Sequence, residues 1–145
     1  MYEVPSSCRV TMKYSTGTTV IVGQEQKDIP GGATFIGDKG TISVNRGKIT
    51  STPDTILKDP LLENDVHLYV SKNHHQNFLE CIATRKTPIC DVEIGHRSAT
   101  VCHLANIALR TGKKFPWDPV KETAPHDEEV ARMLQRPYRA PWTLG

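Results

Sequence analysis

The stretch Thr34-Phe35-Ile36-Gly37-Asp38-Lys39-Gly40-Thr41-Ile42-Ser43-Val44-Asn45 decides how the first half of this chain is read. β-Branched and aromatic residues flank a short polar break, and Gly40 stands where a positive φ is cheap. That is a compact hairpin. Arg46-Gly47-Lys48 turns the chain again before Ile49. Upstream, residues 8–14 alternate, with Val10, Met12 and Tyr14 on one face. Gly17 punctuates a turn, and residues 18–23 are again rich in β-branched side chains. Residues 24–32, with Asp28, Pro30 and Gly31-Gly32, read as a loop. No crossover helix intervenes, so an antiparallel meander is the economical arrangement.

Periodicity fails over residues 51–70, where Pro53 and Pro60 interrupt mixed polarity. This is a long connection with room for a short strand or a helical turn. The second half is helical. Asn73 followed by Gln76 resembles a capping box, and Phe78, Leu79 and Ile82 form one stripe. The strongest helix spans 94–111, where Val101, Leu104, Ala105, Ala108 and Leu109 recur at helical spacing and Gly112 is the C′ candidate. A short helix over 127–135 carries Glu128 and Glu129 in its first turn. Pro137 and Pro141 make the tail extended, lying against the domain through Tyr138 and Trp142. An open antiparallel sheet needs cover on one face, and these helices supply it. The expected fold is α+β, an open, mostly antiparallel sheet with helices on one face. It forms a single domain over 1–145, sheet-rich over 7–50, helical over 72–135 and extended over 136–145.

A length of 145 residues is one ordinary domain able to bury a core. The net charge of +2 comes from scattered lysines and arginines, which implies neither nucleic acid nor an anionic membrane as partner. No run approaches the roughly 18 apolar residues of a bilayer span. Met1-Tyr2-Glu3-Val4-Pro5 does not read as a signal peptide, and the cytoplasm is the expected compartment. Cys8, Cys81, Cys90 and Cys102 show no disulfide framework. Cys81 and Cys102 fall at apolar helical positions, where a buried, reduced thiol acts as a small hydrophobe.

Gly95-His96-Arg97-Ser98 is the most distinctive polar cluster, placed near the start of the longest helix. His96 and Arg97 are the candidates for a substrate-pocket or interdomain contact. The plainer reading is a salt bridge, to Asp91 or Glu93 among others. His67, His74, His75, His96 and His103 lack the convergent spacing of a zinc site, so no metal is expected. Neither Ser71, Ser98 nor any cysteine sits in a nucleophile motif. Trp117, Tyr138 and Trp142 read as anchors onto a core or partner rather than as a sugar-stacking platform.

Several segments together carry a resemblance. They are Asn77-Phe78-Leu79-Glu80-Cys81-Ile82, Arg85-Lys86-Thr87-Pro88, Gly95-His96-Arg97-Ser98, His103-Leu104, Asn106-Ile107-Ala108, Gly112-Lys113-Lys114 and Trp117-Asp118-Pro119. With the hairpin Phe35 to Ile42 and the ending Arg136-Pro137-Tyr138-Arg139-Ala140-Pro141-Trp142, the chain resembles the C-terminal domain of Gfo/Idh/MocA oxidoreductases over 32–144. The resemblance implies a parent with an N-terminal Rossmann domain binding NAD or NADP and a substrate that is a sugar, cyclitol or related polyol. It also implies a C-terminal sheet that walls the substrate and joins subunits into a homo-oligomer.

The family's Glu-Lys-Pro motif is absent, no Asp is followed by His four residues later, and no G-x-G-x-x-G follows a strand. The expectation is a fragment that starts after the catalytic residues, binds no cofactor itself and is inactive alone. The alternative is a noncatalytic binding or assembly module that uses the open sheet face.

Overall fold

The computed structural model describes residues 5–143. The strands are β1 (Cys8–Lys13), β2 (Thr19–Gln24), β3 (Ala33–Gly37), β4 (Gly40–Asn45) and β5 (Lys48–Thr52). A single 3-10 turn, Asp54–Leu57, precedes the helices α1 (His74–Thr84), α2 (Val92–Thr111) and α3 (Glu128–Met133). The architecture is the expected α+β, with open antiparallel sheets and helical cover on one face. The strands form two sheets, β1-β2 and β3-β4-β5. The described residues group into two compact units, one of residues 5–7 and 23–91, the other of residues 8–22 and 92–143.

In the first unit, β3, β4 and β5 are a meander of tight turns. Phe35 pairs with Ile42, Ala33 with Val44, and Gly37 with Gly40. Val44 pairs with Ile49 and Ile42 with Ser51. Paired residues share a face, so Ala33, Phe35, Ile42, Val44 and Ile49 lie together on one side. Thr34, Ser43 and Thr50 lie on the other, with Ile36, Thr41 and Thr52. The sheet is amphipathic, and its apolar face is largely uncovered: Phe35 is 63% and Ile49 56% exposed.

Gly40 is held at φ +141, and a Cβ there would meet the Thr52 carbonyl oxygen at 2.2 Å. The second glycine of the hairpin is therefore required by both backbone and space. Gly37 has only the Gly40 carbonyl oxygen near such a Cβ, at 4.0 Å.

Helix α1 begins where Asn73 accepts hydrogen bonds from the amides of His75 and Gln76, as the capping signal implies. Its buried side differs from the expected stripe. Asn77 and Cys81 are buried, whereas Phe78, Leu79 and Ile82 are 58%, 59% and 49% exposed. The cause is polar. Asn77 donates through Nδ2 to the Tyr69 hydroxyl and accepts from the Ile89 amide at 2.9 Å. A buried amide must be paired, and these two partners turn the helix one residue away from its apolar stripe.

In the second unit, Cys8, Val10 and Met12 of β1 are the half-buried phase, and α2 packs on this strand. Its core is Ile107, Ala124 and Val130, with Phe115 and Leu134 packed against them. This core meets the C-terminal half of α2, so Cys102 is exposed rather than buried. All four cysteines are free. Helix α2 ends at Gly112, φ +65, whose amide donates to the Ala108 carbonyl at 2.9 Å. Asp127 caps α3 through the amides of Glu129 and Val130. The expected docking of the tail is not observed, since Tyr138 and Trp142 are 60% and 69% exposed. Instead Pro137 and Tyr138 border an open groove with Ala131, Arg132 and Leu134 of α3 and its end.

Gly40→Ala is expected to lower stability by about 2 kcal/mol or more, and Gly37→Ala by about 0.5 kcal/mol or less. Urea unfolding of the two variants measures this, and equal losses would contradict the register described.

Candidate functional site

His96 and Arg97 lie in the second turn of α2, about one turn inside its N-terminus. Their side chains meet a turn formed by residues 118–123. That turn builds itself. Asp118 and Thr123 exchange backbone hydrogen bonds at 2.9 and 3.3 Å. The Asp118 carboxylate accepts from the amides of Val120 and Lys121 at 2.9 and 3.0 Å. Both bonds favour the ionised form, the one from Lys121 most, and hold the Asp118 carboxyl below its usual range.

Helix α2 grips this turn at two points. Arg97 Nη1 donates to the Pro119 carbonyl at 2.7 Å and reaches Glu122 Oε1 at 3.2 Å. His96 Nε2 lies 2.6 Å from the same Glu122 oxygen. Arg97 Nε donates to Glu93 Oε1 at 2.7 Å, one helical turn away. The hydrogen bond from His96 is the main reason the Glu122 carboxyl sits below its ordinary value, with the charges of His96 and Arg97 adding to it. Glu122 carries φ +53, so a residue with a side chain occupies the left-handed region at the point of contact. The side chains of His96, Arg97 and Glu122 are 47%, 46% and 41% exposed.

Glu93 is one of the partners expected for Arg97. Glu122 is not, and nothing local in the sequence marks it, because it is 26 residues from His96. Lys113 makes a similar link, pairing with Asp127 at 3.0 Å and Glu129 at 2.8 Å, which ties the end of α2 to the start of α3. Its ammonium is raised above the usual range, chiefly by Glu129 and then Asp127.

Among the described residues no three His, Cys, Asp or Glu side chains come together to hold a metal ion. No described helix is long and apolar enough to cross a membrane. The residues present do not fit a dinucleotide. Every strand pairing described is antiparallel, no βαβ unit occurs among the described elements, and the glycines lack the pyrophosphate-binding spacing.

Residues 3–144 match the model of the oxidoreductase family C-terminal alpha/beta domain of the Gfo/Idh/MocA group. The chain belongs to that family. No curated protein and no solved structure matches it.

Glu122, Asp118 and Asp127 are all depressed in the folded state. Their contribution is complete above the unfolded values and lost as pH falls through the folded ones. The urea midpoint is expected to hold from neutrality to near 4.5, the ordinary value for Glu122, and to decline below it. Glu122→Gln is expected to make that decline shallower. A midpoint that rises below this pH would contradict the clamp.

Proposed function

We propose that this chain is, over 1–145, one substrate-side and assembly domain of an NAD(P)-dependent oxidoreductase, with the chemistry carried by residues outside it. In this reading an N-terminal nucleotide-binding domain holds NAD or NADP, and the substrate is a sugar, cyclitol or related polyol. The family match supports the division of labour. The observation that carries the assembly role is the apolar face of the β3–β5 sheet, which leaves Phe35, Val44 and Ile49 at 63%, 40% and 56% exposure. Contiguous exposed apolar surface is unusual on a soluble monomer. A two-fold sheet-to-sheet contact covers it by using the same face twice.

For His96 and Arg97 the contacts favour positioning over direct contact with substrate. His96 Nε2 is engaged by Glu122, and Arg97 Nε and Nη1 by Glu93, Pro119 and Glu122, and they fix the turn that follows Trp117. The cytoplasm is the compartment proposed for this activity.

Sedimentation at several concentrations is expected to show an oligomer that dissociates on dilution. Ile49→Asp is expected to raise its dissociation constant at least about tenfold while the secondary structure persists. A clean 16.2 kDa species at roughly 100 μM would overturn the assembly role.

A further inference from the structure

The connection between the 3-10 turn and α1 contains a segment with the sequence pattern of a strand and, among the described residues, no ladder partner. Residues 66–70, Val-His-Leu-Tyr-Val, alternate as a strand does. They form no helix, turn or ladder. Among the described residues none of their backbone groups makes a backbone hydrogen bond. Their side chains divide cleanly by phase. Tyr69 receives a hydrogen bond from the buried Asn77, and His67 Nε2 meets the Leu62 carbonyl at 2.9 Å. These tie one side of the segment to its own unit. Val66, Leu68 and Val70, in the other phase, are 82%, 81% and 80% exposed. The segment is anchored on one side and presents apolar side chains on the other, and its backbone donors and acceptors have no partner among the described residues. Such a segment is a template for strand addition.

We propose that residues 66–70 pair antiparallel with the same segment of a second copy of this chain, about a two-fold axis at Leu68. The sequence is symmetric in the way this pairing needs. Centred on Leu68, the register sets Val66 against Val70 of the second copy and His67 against its Tyr69, so apolar meets apolar along one face. The flanks are complementary in charge. Glu63 and Asp65 precede the segment and Lys72 follows it, so antiparallel pairing brings the acidic end of each copy to the basic end of the other. Parallel in-register pairing would stack like on like, which is destabilising. The contact is isologous and closes on itself. It is separate from the β3–β5 face.

Cysteine cross-linking in a Cys90→Ser, Cys102→Ser background tests the register. Leu68→Cys places two thiols on the axis, with Cα atoms about 5 Å apart, within disulfide range. Val66→Cys alone sets them about 13 Å apart, out of range. A mixture of the Val66→Cys and Val70→Cys chains restores the match. Oxidation is expected to cross-link Leu68→Cys, and the mixture, at least about tenfold more than Val66→Cys alone or the exposed off-strand control Val92→Cys. Equal cross-linking of Leu68→Cys and Val66→Cys would mean a parallel contact and overturn the proposal. Cross-linking of Leu68→Cys no greater than that of Val92→Cys would mean that the strand takes some other partner or none, and would overturn it too. Adding Ile49→Asp is expected to leave the Leu68→Cys cross-link unchanged, so failure here is distinct from failure of the sheet-face contact.

Discussion

Three short antiparallel strands give a sheet two faces, and in this chain the pairing register makes one of them apolar. Phe35 beside Ile42 follows from the Gly37–Gly40 turn and Val44 beside Ile49 from the Asn45–Lys48 turn, because a slip of one residue at either would move those side chains across the sheet. Full burial of a Val, Ile or Phe side chain is worth about 1.5–3 kcal/mol. Several such side chains left partly in water forgo an amount comparable with the whole net stability of a domain, about 5–15 kcal/mol. The reading of this chain as an assembly module begins at that face.

The polar interactions do a different job from burial: they choose orientation. Asn77 sets which side of α1 turns inward, at the expense of an apolar stripe that propensity alone would bury. Asp127 and Lys113 set where α3 starts relative to the end of α2, and Val130, 0% exposed, then closes the core with Ile107 and Ala124. The His96–Glu122–Arg97 contact does the same for the turn at 118–123. Each is a small local term, and each selects one arrangement among several that hydrophobic contacts would tolerate.

What could be read in advance follows from this division. The hairpin around Gly37 and Gly40, the Asn73 cap, the length of α2 and its stop at Gly112 are local signals, and the structure bears them out. The inward side of α1 was not legible, because it depends on Tyr69 and Ile89, which lie 8 and 12 residues from Asn77. Burial of Cys102 was expected from helical spacing and fails because the core gathers further along α2. For His96 and Arg97, the helical partner Glu93 was visible at i,i+4 spacing. Glu122 was not, since only the fold brings it to the helix.

The division of labour between this chain and a nucleotide-binding partner is the central claim, and calorimetric titration of the chain with NAD and with NADP tests it most directly. Among the described residues there is no glycine-rich turn between a parallel strand and a helix, the arrangement that holds a pyrophosphate. Neither nucleotide is expected to bind at micromolar concentration. Saturable binding of either one with a dissociation constant below about 10 μM would contradict the account.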